Sequence, residues 1–223
     1  MRYTTLLVDL DETVYPSASG VWEAIAIRMN RFMEERLQFN PAEVPHIRKR
    51  LYQEYGTTLR GLQMTYHVDE HEFIDFVHDI PIDDLLEPDP LLKDVLAQYP
   101  QRKIIFTNAD RKHAGRVLNR LGISGCFDGI IDIYDISPYC KPMVEAFQAA
   151  VRQAGVTHPQ QCVFIDDSPC NLSAAYTQGM YTIQVGQPKA GYTHPEALVH
   201  AQIDRLHDLP LVLPPRPNGH GER

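Results

Sequence analysis

The spacing of apolar positions changes twice along this chain, and the changes mark its organisation. Near the amino terminus, TTLLV is a short unbroken run of β-prone apolar residues that ends in the acidic DLDET. That is the pattern of a buried central strand delivering carboxylates to its carboxyl end. From Val21 to about Leu37 the apolar residues of VWEAIAIRMNRFMEERL recur at helical spacing, and PAEVPHIRKRLYQEYG, TTLRGLQMTYH and DEHEFIDFVHDI continue as three more helices. Asp69 is placed to cap the last of these, with Glu72 three positions on to complete a capping box.

Strand character returns only at RKIIFTNA, beginning near Lys103. From there strand and helix alternate: a helix from about Asp110 to Leu121, the strand GIIDI, a helix from about Pro142 to Ala154, the strand CVFI, a helix over about Asn171 to Gln178, and TIQV as the last strand. This alternation predicts an α/β fold, a parallel sheet covered by helices on both faces. A parallel crossover needs only about a dozen residues, yet roughly 70 to 80 separate the end of TTLLV from LLKDVLAQ, the helix that would serve as crossover. The surplus, residues 16–86, is expected to form a separate helical lid on a core made of residues 1–15 and 87–213. Beyond His194 the pattern weakens, and LPLVLPPRPNGHGER, rich in Pro and Gly, reads as a loose tail that includes residues 214–223. There is no internal repeat.

Composition narrows the partners. A chain of 223 residues that is 43% hydrophobic can bury the core of one domain with an insertion. Its formal charge of -8 repels nucleic acid polymers and anionic membranes, while a small phosphate ester remains acceptable where cations are supplied locally. The amino-terminal MRYTTLLVDLDETVYP carries acids inside its apolar run, unlike a signal or transit peptide, and no stretch is long enough to span a bilayer. Cys126, Cys140, Cys162 and Cys170 show no CxxC spacing and read as packed free thiols, the usage of a reducing cytoplasm. Nothing in the sequence bears on oligomeric state.

The chemistry is concentrated at strand ends. Asp9 and Asp11 follow TTLLV, Thr107 and Asn108 follow KIIF, Asp166 and Asp167 follow CVFI, and Lys141 lies in the loop after GIIDI. An open parallel sheet binds its ligands at that edge. Two carboxylates about 4 Å apart repel by about 4 kcal/mol at an effective dielectric near 20, so four converging acids require a cation among them. An all-oxygen set without His or Cys favours Mg2+, and Lys141 adds further positive charge. These parts fit phosphoryl transfer. Asp9 would attack phosphorus to give an aspartyl-phosphate, and Asp11 would protonate the leaving oxygen and then deprotonate the hydrolytic water. Thr107 and Asn108 would hold the phosphoryl oxygens, with Lys141 and Mg2+ stabilising their charge.

In these residues the chain resembles the haloacid dehalogenase (HAD) superfamily. DLDET is similar to its DxDxT motif, Thr107 to the motif II hydroxyl, Lys141 to the motif III lysine and FIDDSPCNL to the acidic motif IV. The resemblance covers nearly the whole chain and implies a Rossmann-like core with a helical cap inserted just after the first motif. It further implies that Mg2+ is bound by the side chain of Asp9, the main-chain carbonyl of Asp11 and an acid of motif IV, Asp166 or Asp167; where FIDDS aligns with the commoner GDS form, Asp167 is the direct ligand and Asp166 braces Lys141 or a metal-bound water. Asn171 stands where many relatives carry a second acid. Dehalogenases of the superfamily lack an acid two residues after the nucleophile, because halide leaves unprotonated, so Asp11 favours a phosphatase.

LYQEYGTTLRGL, FTNADRKHAGRVLNRLGI and FIDDS together resemble the pyrimidine 5'-nucleotidase subgroup. That resemblance implies UMP or CMP as substrate, with Tyr52, Tyr55, Thr58 and Arg60 offering a stacking surface and polar contacts to base and ribose. Spacing alone favours packing roles for Tyr52 and Tyr55, a core role for Trp22 beside Ile25 and Ile27, and a surface or packing role for His113. Phosphoglycolate and sugar phosphates are the alternative substrates. A receiver-type phospho-acceptor module uses the same residue types, but its acidic pair and phosphorylated Asp precede Thr and Lys. Here the order is Asp9, Thr107, Lys141, then Asp166 and Asp167. A silent binding protein on the same fold would have no need of every catalytic residue type.

Overall fold

A computed structural model describes residues 3–187 and 198–215. The strands are β1 (Thr5–Val8), β2 (Arg102–Phe106), β3 (Gly129–Ile131), β4 (Cys162–Asp166), β5 (Tyr181–Val185) and β6 (Ala201–Ile203), all parallel in the order β3-β2-β1-β4-β5-β6. Between β1 and the helix α6 (Pro90–Ala97) lie α1 (Val21–Glu35), α2 (Val44–Tyr55), α3 (Thr58–Tyr66), α4 (Glu70–Val77) and α5 (Ile82–Leu85). Beyond β2 come α7 (Arg111–Leu121), α8 (Ile133–Ile136), α9 (Val144–Gln153), α10 (Pro169–Thr177) and α11 (Leu209–Val212).

The unbroken apolar character of β1 follows from its central position. Leu6 and Val8 face a core shared with α6 and α7, while Leu7 faces a second core shared with α9 and α10. Both faces are dry, so neither alternates with polar residues. Asp side chains start several helices by accepting otherwise orphaned amides: Asp69 Oδ1 from Glu72 N at 2.8 Å, Asp89 Oδ1 from Leu92 N at 2.9 Å, and Asp110 from Lys112 N and His113 N.

Three boundaries differ from the periodicity. GIIDI is cut short because Asp132 leaves the strand and forms a capping box with Asp135 that begins α8. TIQV is not the last strand: β6 pairs with β5, and LPLV, expected within a loose tail, forms α11. A strand and a helix of three and four residues are too short to establish a period, which is why neither was legible. Residues 188–197 and 216–223 lie outside the described region.

The helices that follow β1 pack on one another. Phe32 of α1 meets Phe73 and Phe76 edge-on, at centroid distances of 5.0 and 5.4 Å. Among the described residues no helix is long and apolar enough to cross a membrane. The helical layer touches the loop that carries Lys141 through Gly56, which ends α2 at φ +85; a Cβ there would lie 2.8 Å from Pro142 Cδ. Gly56→Ala should therefore lower unfolding free energy by about 1–3 kcal/mol through strain and overpacking. Urea denaturation reads this out, and an unchanged midpoint would contradict so close an approach.

Candidate active site

Val8 is in register with Ile105 on one side and Ile165 on the other, so the residues that follow β1, β2 and β4 emerge together at one edge. The direction of strand order reverses beside β1, where an open sheet leaves a crevice. Asp9, Thr107, Asp166 and Asp167 all stand there.

Lys141 ties these ends together. Its Nζ donates to Asp9 Oδ1 at 2.6 Å, Asp166 Oδ2 at 3.0 Å and the Phe106 carbonyl at 2.8 Å, using all three ammonium donors in a side chain only 1% exposed. The ammonium also lies 5.1 and 5.5 Å from the ring centroids of Phe106 and Phe164, within cation–π range. The lysine loop is held from below by Asn108, whose Oδ1 accepts from Lys141 N at 2.8 Å and whose Nδ2 donates to Lys141 O at 3.0 Å. The expectation that Asn108 holds a phosphoryl oxygen is thus corrected for its side chain, which is occupied in positioning Lys141. Thr107 is buried, and its Oγ1 accepts from Ala109 N at 2.9 Å.

The acids separate into two groups. Oxygens of Asp9, Asp166 and Asp167 lie within 4.8 Å of one another, while the Asp11 carboxylate is not part of that cluster. Asp11 Oδ1 instead accepts from Tyr15 OH at 2.5 Å and pairs with His113 Nε2 at 2.9 Å. Four acids were expected to converge; three do, because the fourth finds donors of its own. Asp166 is fully engaged: Oδ1 accepts from Ser168 N at 2.7 Å and Asn171 Nδ2 at 3.1 Å, and Oδ2 from Lys141 and again from Asn171 at 3.1 Å. It acts as a brace, and Asn171 is the side chain that braces it in turn.

Electrostatics follow this division. Burial pushes the Asp9 carboxyl up to about 7, with the like charges of Asp166 and Asp11 adding to burial against the pull of Lys141. Burial and the neighbouring Asp166 and Asp9 hold Asp167 well above the usual carboxylate range. Lys141 is kept protonated, since Asp166 and Asp9 outweigh the burial that opposes its charge. Asp11 goes the other way: burial raises it, but His113, Tyr15 and His78 prevail and hold it at about 2. One ammonium does not neutralise three carboxylates. The close oxygen donors and surplus negative charge fit a hard divalent cation.

Over this edge lies a cavity of about 370 Å³, with Asp9, Asp11, Thr107, Lys141 and Asp167 on its floor. Tyr52 and Thr58 line it; Tyr55 and Arg60 are not among the lining residues. Tyr55 packs instead on the buried core, and the charge of Arg60 acts on Glu70 and Cys140. Trp22 lines the cavity as well as packing on the core, as does Met29, and the Arg48 guanidinium on its wall is held by Ala26 O at 3.0 Å and Asn30 Oδ1 at 2.8 Å. His113 is neither a surface nor a simple packing residue, because its buried ring meets Asp11 across 102 positions of sequence. No periodicity reports such a contact.

Residues 3–176 match the haloacid dehalogenase-like hydrolase family. The chain belongs to that family. It is 30% identical over 186 residues to phosphate metabolism protein 8 of Saccharomyces cerevisiae (strain ATCC 204508 / S288c), a match covering 77% of this chain and 58% of the yeast protein. The chain thus spans less than two thirds of that curated relative's length. Solved HAD structures share the fold. L-2-haloacid dehalogenase from Xanthobacter autotrophicus superposes with a TM-score of 0.59 at 17% identity, covering 94% of this chain and 97% of that one. An HAD phosphatase from Thermococcus onnurineus superposes at 0.60 and 20% identity, covering 97% and 99%. One HAD fold serves both chemistries, so the site must distinguish them.

Lys141 is the element whose removal this geometry tolerates least. Lys141→Met leaves Asp9 and Asp166 buried without their ammonium and should lower unfolding free energy by about 3–5 kcal/mol at pH 8. A loss below about 1 kcal/mol in urea denaturation would show that the pairing does not organise the site.

Proposed function

We propose that the protein is a Mg2+-dependent phosphomonoesterase that works through an aspartyl-phosphate on Asp9, with pyrimidine nucleoside 5'-monophosphates as its substrates. The observation that carries this reading is the Asp11 carboxyl, held beside the cavity two residues from Asp9 by Tyr15 and His113. An alkoxide leaving group needs a proton and a halide does not, so a fixed acid at this point fits ester cleavage.

In the first half-reaction an Asp9 oxygen forms a bond to phosphorus, the bond from phosphorus to the leaving oxygen breaks, and that oxygen takes a proton from Asp11. The donors around Asp11 favour its carboxylate; a dianionic ester brought against it adds like charge and excludes water, both of which favour the protonated form. In the second, Asp11 accepts a proton from water as the water oxygen attacks the aspartyl-phosphate, releasing phosphate and restoring Asp9. The Thr107 hydroxyl and the Asn108 main-chain N–H hold phosphoryl oxygens, and Lys141 offsets their charge. A bound Mg2+, held by Asp9, the Asp11 carbonyl and Asp167 with Asp166 as brace, supplies the remaining positive charge that lets an anionic ester approach a carboxylate.

Residues 16–86 serve in this reading as the cap that closes over the leaving group. A cavity of about 370 Å³ suits a nucleoside. Trp22 and Tyr52 offer flat faces to a base, and Arg48 a cation to its carbonyl oxygens. Phosphoglycolate and sugar phosphates would leave the apolar walls unfilled, which ranks them second. The four free thiols fit a reducing cytoplasm.

Phosphate release with Mg2+ from UMP, CMP, AMP, GMP, phosphoglycolate and sugar phosphates should favour UMP and CMP. Asp9→Asn should reduce turnover by about three orders of magnitude or more. Preference for a purine or a small ester discards the substrate, and full activity in Asp9→Asn discards the mechanism. Because burial pushes Asp9 up to about 7 and holds Asp167 high as well, metal must displace protons below pH 7, and Mg2+ affinity should weaken by at least about tenfold per unit as pH falls from 7 to 5. Isothermal calorimetry across that range tests this, a pH-independent affinity being the contrary result.

A further inference from the structure

His113 sits in the first turn of α7 with its side chain fully buried. Its Nε2 lies 2.9 Å from Asp11 Oδ1, the same oxygen that accepts from Tyr15 OH at 2.5 Å. No hydrogen bond from a described residue falls on Asp11 Oδ2. A carboxylate only accepts, so Nε2 is assigned as the donating nitrogen. Two donors on one oxygen fix the carboxylate plane and leave the other oxygen to whatever enters the cavity, which Asp11 lines with a side chain 13% exposed.

The imidazole is itself fixed. Its face stacks on the His78 ring at 4.2 Å between centroids and 17° between planes, and His78 Nδ1 bonds to Asp110 Oδ1 at 2.7 Å. Asp110 also accepts from His113 N, so one carboxylate anchors both the start of α7 and the ring that buttresses His113. Among the described residues His113 Nδ1, which is buried, has no hydrogen-bond partner. Buried polar atoms are rarely left so, and among those residues the one hydrogen bond of the ring is to Asp11.

We propose that His113 is a positioning residue for the acid–base group: with Tyr15 it saturates Asp11 Oδ1 and so presents Oδ2 to the leaving-group oxygen of the substrate. His78, from the segment after α4, carries this alignment across to the helical layer. The assignment rests on the phosphatase reading of Asp9 and Asp11.

The test separates leaving groups in rapid-mixing experiments with Mg2+ present. p-Nitrophenolate departs with little help from an acid, whereas the alkoxide of β-glycerol phosphate needs its proton. His113→Leu should slow phosphorylation of the enzyme by β-glycerol phosphate about thirty- to a hundredfold, against less than about threefold for the p-nitrophenolate burst. His113→Gln, whose amide N–H can reach the same oxygen, should recover most of the loss, and Tyr15→Phe should show the same selective loss in milder form. Equal slowing with both esters, or no recovery with Gln, would overturn the proposal. Should His113→Leu not fold, His113→Gln is compared with His113→Asn, whose amide falls short of Asp11; equal leaving-group profiles in those two also overturn it. Asp9→Asn, run alongside, fails to phosphorylate with either ester if the phosphatase reading holds, so failure of that reading is seen separately.

Discussion

The site depends on a buried ammonium. Lys141 reaches three strand ends at once: the carboxylate after β1, the last carbonyl of β2 and the carboxylate that ends β4. Those groups meet only because the strands are parallel, adjacent and in register, so the fold and the charge constellation require one another. Carboxylates this close would repel strongly in a dry interior, and the lysine offsets only part of that repulsion. The uncompensated remainder, which burial leaves on the raised Asp9 and Asp167, is the excess negative charge that a hard cation would offset.

A second polar system stands beside the first and differs in sign. Around Asp9 burial dominates and favours the protonated acid; around Asp11 the donors Tyr15 and His113 dominate and favour the carboxylate. Two acids two residues apart are thereby given opposite environments, and these are the reverse of the charge states that the proposed first half-reaction needs, so a cation beside Asp9 and an anionic ester beside Asp11 would each have to turn them over. The relatives with solved structures include a dehalogenase and a phosphatase of equal structural likeness, so the treatment of Asp11 carries more functional weight than the sheet that supports it.

Much of this was legible in the chain because it is written in local periods. TTLLV, KIIF and CVFI are unbroken apolar runs, and the polar residues that end them fall at the ligand edge by topology alone. What escaped was written in contacts rather than periods. His113 reads as one residue of an amphipathic helix until the fold brings it to Asp11, Trp22 reads as core until the cavity shows it lining a wall, and no motif or period singles out Arg48. Tyr55 packs on the core, the role its spacing favours, and Arg60 does not line the cavity although Tyr52 and Thr58 nearby in sequence do. Asn108 was the right residue with a different task, since an amide after a strand can serve a ligand or a loop with equal ease.

Covalent phosphorylation of Asp9 is the proposed step from which the other roles follow. Acid quenching within milliseconds of mixing the Mg2+-loaded enzyme with a turned-over ester, followed by mass spectrometry of the peptide that contains Asp9, tests it directly. The expected result is the added mass of one phosphoryl group on Asp9, removable by hydroxylamine as an acyl phosphate is. Phosphate release with that peptide unmodified at every quench time, or with the phosphoryl group on another residue, would contradict it.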